Sequence, residues 1–243
     1  MTPGSIRQGF LLDGRVRHDQ FAHGHRTGLE PVLLAAMVPA LPGERVLEAG
    51  SGSGAGLLCL AARVPDVLGV GVEIDPALVA LATANVAANG FAGLRFVAQA
   101  IESFVGEAPF DHAFSNPPWR EADGTASPDA ARDLARRTRA GQLALWIAAL
   151  ARSLRHRGTL TLAVGVAAVP ECLGALAASG LGGVRLLPLW PKPGQAAKLT
   201  LIQARRGSRT PMRLDAGLVL HTPDGGFTPD ATAILRGGGA MPP

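Results

Sequence analysis

From Glu44 onward, short apolar runs alternate with longer segments in which apolar residues recur at helical spacing. That is the pattern of strand–helix units building a parallel sheet covered on both faces. ERVLEAG (44–50) predicts the first strand, GAGLLCLAARV (54–64) a helix, VLGVGVEI (67–74) the second strand and PALVALATANVAANG (76–90) a second helix. Pro76 suits the first turn of that helix, where a missing N–H costs nothing, and Gly90 suits its C-terminal cap. LRFVAQ (94–99), FDHAFSN (110–116) and TLTLAVG (159–165) predict three more strands, with AGQLALWIAALARSLRHRG (140–158) read as one long helix and a further helix near 169–180. GVRLLPLW (183–190) and AKLTLIQARR (197–206), joined by the turn-forming PKPGQ, read as an antiparallel pair at the sheet edge. The fold class is α/β: a doubly wound, mostly parallel seven-stranded sheet with an antiparallel edge strand.

Three parts follow from this pattern. Residues 1–43 hold a hairpin, FLLDGRVR, and an apolar helix, EPVLLAAMV, as an extension packed on the core; residues 44–206 are the core; residues 207–243 hold a hairpin signalled by PDGG and a flexible glycine tail. The chain has 243 residues, enough for one large α/β domain, and at 47% hydrophobic and 17% charged it is not a disordered sequence. Its two cysteines lie in apolar helical contexts without ligand spacing, and His18, His23 and His25 lack companions at metal-binding intervals, so neither a disulfide framework nor a metal site is expected. No signal-peptide apolar region opens the chain and no apolar run approaches ~18 residues, which reads as a cytoplasmic protein without a membrane span. The formal charge is only +4, but arginines cluster at 132–139 and again at Arg205, Arg206, Arg209 and Arg213, as local patches suited to phosphates.

EAGSGSG (48–54) ends a buried strand and opens a helix, so Gly50, Gly52 and Gly54 can let the backbone turn tightly and approach a ligand. With Ala55 as the last position the turn also fits the dinucleotide fingerprint, and Glu73, ending the next strand, stands where it can meet ribose hydroxyls. Glu48 bears on the choice of ligand: an acid entering the turn repels a pyrophosphate and welcomes a cationic amino-acid moiety, favouring S-adenosylmethionine over NAD. Arg26, in the histidine-rich stretch before the core, can meet a cofactor carboxylate or a phosphate. FSNPPW (114–119) follows the fourth strand, and its prolines, lacking N–H donors, end the ladder there.

Through VLEAGSGSG, GVEIDP and SNPPW the sequence resembles the class I S-adenosylmethionine-dependent methyltransferases, with their Rossmann-like fold. Within them it resembles the N-P-P-aromatic group, and in particular the bacterial tRNA(Val) adenine-N6 methyltransferases, over roughly residues 8–236: GHRTGLEPVLLAA, TANVAANG, SPDAARDLA, GLVLH and AILR share in the likeness. The resemblance implies methyl transfer to an exocyclic adenine nitrogen, most simply in tRNA, with Asn116 and Pro117 accepting the amino hydrogens and Trp119 stacking on the base beside Pro118. It also implies that Gln99 or Ala100 stands where relatives often have an acid contacting the cofactor adenine, with Gln99 able to hydrogen-bond that adenine, that Glu30 replaces an aspartate near the cofactor entrance, and that tryptophan replaces the usual tyrosine or phenylalanine at 119. Residues 120–140, with Arg132 and Arg136, read as a target-contacting loop over an RNA substrate. The alternatives are methylation of a protein glutamine at N5, an NAD-linked oxidoreductase, and a non-catalytic member that binds RNA or nucleotide.

Overall fold

Two antiparallel pairs, one inside the other, begin the chain: β1 (Ile6–Arg7) pairs with β4 (Gln20–Phe21), and β2 (Phe10–Leu11) pairs with β3 (Val16–Arg17). The computed structural model describes residues 5–23, 26–117 and 141–242. α1 (Glu30–Met37) follows, and since EPVLLAAM is apolar on every side it is buried from Val32 to Met37.

β5 (Arg45–Ala49), α2 (Ala55–Arg63), β6 (Leu68–Glu73), α3 (Pro76–Asn89) and β7 (Leu94–Ala98) form two consecutive strand–helix–strand units. β8 (Phe110–Ser115) then lies on the other side of β5, followed by α4 (Gln142–Ser153), β9 (Leu154–Gly165), α5 (Val169–Ala178), β10 (Leu181–Trp190) and β11 (Leu199–Arg206). The main sheet runs β7-β6-β5-β8-β9-β11-β10, parallel except for β11. Helices α1 and α2 and the N-terminal hairpin bury one face, while α4 and α5 bury the other. Val46 belongs to the first core and Leu47 to the second, as the two-residue period of a strand covered on both sides requires.

Three particulars differ from the sequence pattern. The antiparallel strand is not at the edge: β11 turns back between β9 and β10, and β10 is flanked in turn by β12 (Arg213–Leu214) and β13 (Leu218–Val219), both parallel to it, making nine strands among the described residues. The helix expected over 140–158 stops at Ser153, because Leu154 already pairs with Phe110 and the LRHRG segment is drawn into β9 through a register shift with Arg157 left-handed at φ 63°. The glycine tail is not free: after α6 (Pro229–Leu235), the Gly238 N–H donates to the Ile234 carbonyl at 3.0 Å and the Met241 N–H to the Ala36 carbonyl at 2.7 Å, which seats the Met241 side chain in the first core. Its apolar burial and these bonds outweigh the freedom of the glycines. No helix among the described residues is long and apolar enough to cross a membrane.

Sheet topology fixes where a ligand can sit. The chain steps outward from β5 to β7, then returns to start β8 on the other side, so β5 and β8 flank a switch point at the carboxyl ends of the strands. Ala49 is in register with Ser115, whose hydroxyl donates to the Ala49 carbonyl at 2.8 Å. Gly50 and Asn116 therefore leave the sheet side by side.

Candidate active site

The turn after β5 is held by the next strand: the N–H groups of Gly50 and Ser51 both donate to the Val72 carbonyl, at 2.8 and 3.2 Å, and that of Gly54 donates to the Ser51 carbonyl at 2.8 Å. Gly50, Gly52 and Gly54 all have positive φ, 66°, 53° and 91°. They differ in what surrounds them. A Cβ at Gly50 would stand 2.9 Å from the Trp146 ring, and one at Gly54 2.9 Å from Phe96, whereas one at Gly52 would meet nothing within 4 Å. Gly52 is thus required by its backbone angle alone, and its outer side is open for a ligand.

Glu73, at the end of β6, ties the turn to the following helix. Its Oε2 accepts from the Gly52 N–H at 2.9 Å, and its Oε1 from the N–H groups of Ile74 and Asp75 at 2.8 and 3.1 Å. A carboxylate has about four lone-pair sites, so it can accept from a further donor such as a ribose hydroxyl. Ile74 beside it is 73% exposed, an apolar surface at the same strand end, and Asp75 caps α3 through the Ala77 N–H. The Gln99 N–H donates to the Glu73 carbonyl at 2.9 Å, and its side-chain amide donates to the Ser103 carbonyl at 2.9 Å, leaving the Gln99 side-chain oxygen to accept.

Glu48 lies behind the turn. It shares the Val46 face of β5, is 6% exposed, and its Oε2 accepts from the Leu57 N–H in the first turn of α2 at 3.0 Å. Burial pushes its pKa up to about 8, against the opposing effect of the Leu57 bond, with the charge of Glu73 adding to the rise. At neutral pH the acid is therefore mostly protonated, so its bearing on the ligand is by occupancy more than by charge. A first-turn donor of α2 that a pyrophosphate would need is already taken, whichever protonation state Glu48 has.

Asn116, one residue beyond β8, has its Oδ1 buried with no donor among the described residues, and Ser51 Oγ in the neighbouring turn is likewise buried without a partner. Such atoms are costly to leave unpaired and are a mark of a site built for a donor that comes from elsewhere. Pro117 is buried beside it. Arg26 is exposed with no partner among the described residues. Pro118, Trp119, Arg132 and Arg136 lie outside the described residues.

Several residues at this edge escaped the sequence reading. His18 is fully buried, with Nε2 2.8 Å from Ser53 Oγ, and desolvation lowers its pKa to about 4. The Asn85 amide of α3 accepts from the Asp19 N–H at 2.9 Å and donates to the carbonyls of Asp19 and Ser53, both at 3.0 Å. Asn89, one helical turn on, does the same to both backbone groups of Arg17, at 2.9 and 2.7 Å. Two asparagines four apart on an alanine-rich helix were the available signal. Trp146 of α4 is partly exposed; its ring meets Gly50 while its Nε1 is buried without an acceptor among the described residues.

The strand order, the glycine turn after β5 and the acid ending β6 define an S-adenosylmethionine-dependent methyltransferase. The model of the family described as the methyltransferase small domain matches residues 22–157. The chain belongs to that family. It is 32% identical over 216 residues to the tRNA1(Val) (adenine(37)-N6)-methyltransferase of Aeromonas hydrophila, covering 88% of this chain and 89% of the relative. It is 40% identical over 127 residues to the protein of the same name from Yersinia pestis, covering 51% and 50%. Among solved structures it is similar to a predicted O-methyltransferase from Agrobacterium tumefaciens, with a TM-score of 0.72 at 23% identity over 87% of this chain and 97% of that one, a likeness of fold.

Proposed function

We propose that the protein transfers a methyl group from S-adenosylmethionine to the exocyclic N6 of an adenosine in tRNA. The relatives named for that reaction support the substrate class, and the single structural observation behind the chemistry is the buried Asn116 Oδ1 beside the glycine turn, without a donor among the described residues. The turn's open side at Gly52, the spare acceptor capacity of Glu73 and the exposed Ile74 suit the glycine-facing backbone, ribose and ring of the cofactor, with Gln99 at the adenine edge. When bound, the cofactor supplies a methyl on a positively charged sulfur.

The amino group of adenine is a weak nucleophile because its lone pair is delocalised into the ring. Asn116 Oδ1 and the Pro117 carbonyl accept its two hydrogens, which favours the pyramidal form and stabilises positive charge as the nitrogen–carbon bond forms and the carbon–sulfur bond breaks. One proton leaves the nitrogen after transfer, so no base with a matched pKa is needed beforehand. Trp119 supplies a stacking plane, worth ~1–3 kcal/mol, and the prolines restrict the acceptors' backbone. Positioning two reactants at one switch point provides the rest.

The test is transfer of labelled methyl from S-adenosylmethionine into total tRNA and, in parallel, into a protein extract, followed by nucleoside analysis. N6-methyladenosine in tRNA is the expected product. Asn116→Ala should lower kcat by roughly 10²-fold or more, in the range found when one preorganised polar group of a site is removed, with the dissociation constant of S-adenosylmethionine unchanged. Label in protein alone, or equal loss of cofactor binding and turnover in the variant, would overturn the reading.

A further inference from the structure

Arg205, Arg206 and Arg209, singled out along the sequence but unused at the catalytic edge, meet the arginines that begin β9 at the opposite end of the sheet. β9 begins there with Leu154-Arg155-His156-Arg157, and β11 ends there with Arg205 and Arg206. Register pairs Arg205 with Thr159; the Arg206 guanidinium donates to the Leu154 carbonyl; and a Cβ at Gly207 would lie 2.6 Å from the His156 ring. Two stretches some fifty residues apart in sequence thus build one corner.

The acids of that corner are committed. Asp111 accepts from the Arg45 N–H and pairs with Arg155, and Glu44 pairs with His112 at 2.9 Å and with Arg155 at 3.6 Å. Arg157, Arg205 and Arg209 remain exposed, with no side-chain partner among the described residues. Arg157 is moreover held at φ 63° immediately before Gly158, a conformation in which arginine is strained and glycine is not. A charged side chain presented from a strained bulge, among exposed arginines whose neighbouring acids are already paired, suits a polyanion.

We propose that this corner is a second contact for the RNA substrate, binding backbone phosphates away from the methylated base. It rests on the reading of RNA as substrate, not on the identity of the target atom. Along β11 the corner lies six residues from Leu199, which pairs with Gly165 at the catalytic end. At about 3.3 Å per residue that is roughly 20 Å, so an RNA reaching both places must extend well beyond its target nucleotide.

Two variants test it: Arg157→Gly, and the double Arg205→Glu/Arg209→Glu. Binding of labelled total tRNA is measured against salt, and methyl transfer at saturating tRNA. Each variant should bind tRNA several-fold more weakly, the double about tenfold or more, with a salt slope shallower by about 1 per arginine lost, while kcat and S-adenosylmethionine affinity stay unchanged. Arg157→Gly should melt no lower than the parent, since glycine relieves the backbone; a purely structural arginine would lose stability and leave RNA affinity intact. Unchanged tRNA affinity in both variants overturns the proposal, as does a parent that binds no tRNA. A parent that binds tRNA through these arginines yet methylates none would instead leave the corner standing and overturn the catalytic reading.

Discussion

Glu48 and His18 are buried titratable groups on the same side of the glycine turn, and their linkages to folding run in opposite directions. The Glu48 pKa is raised from 4.5 to about 8, so the folded state holds its proton where the unfolded state has lost it, and stability falls as pH rises from about 4.5 to 8. The His18 pKa is lowered from 6.5 to about 4, so stability falls as pH drops through that interval. The two oppose one another below pH 6.5, and only the Glu48 slope remains above it. At about 1.4 kcal/mol per unit, the 1.5 units from pH 6.5 to 8 amount to a loss of about 2 kcal/mol. Glu48→Gln retains an acceptor for the Leu57 N–H and removes the ionisation, so thermal or urea melts of this variant should lack that decline; an identical decline in the variant would refute the assignment. The glutamate, the turn glycines and Glu73 were all visible in the sequence as a motif, but the proton on Glu48 was not, because burial depends on α2 and on Phe114, which packs beside it.

At the scale of elements, the N-terminal hairpin is fastened to α3 by side-chain amides that imitate a strand's backbone. Each of Asn85 and Asn89 gives one acceptor and one donor to a single residue of the hairpin, and Asn85 adds a bond to Ser53 of the glycine turn. Asn85→Ala leaves the Asp19 N–H and the Ser53 carbonyl without this partner, and should destabilise the protein by about 1–3 kcal/mol while raising the dissociation constant of S-adenosylmethionine more than it lowers kcat at saturation. Calorimetric titration and turnover separate these effects; an unchanged cofactor affinity would argue against any role beyond structure. Local periodicity placed α2, α3 and the four strands β5 to β8 to within a residue or two. It misjudged the end of α4 because ARSLRHRG contains no breaker before Gly158, and pairing of Leu154 with Phe110 is a long-range fact. The same holds for β11: a tight turn predicts an antiparallel pair without saying which member lies inside.

The whole molecule is organised by one topological event, the jump from β7 back across to β8, which brings the Gly50–Gly54 turn and Asn116 together from opposite sides of the chain's excursion. The candidate site could be located in the sequence because both of its motifs are local and both adjoin strands. The tail was not, since its glycines suggested freedom while Met241 supplies an anchor between α1 and the rest of the first core. Removing residues 238–243 should lower stability by about 2–5 kcal/mol, the range for losing a largely buried methionine, with turnover at 25 °C preserved; an unchanged melting temperature would show that the anchor is weak.

The amide fastening also sets an order of events during synthesis. Residues 5–21 are made before α3, and their partners Asn85 and Asn89 follow some seventy residues later. The hairpin must therefore wait until α3 exists, and the glycine turn receives its cover only after two strand–helix units have been completed.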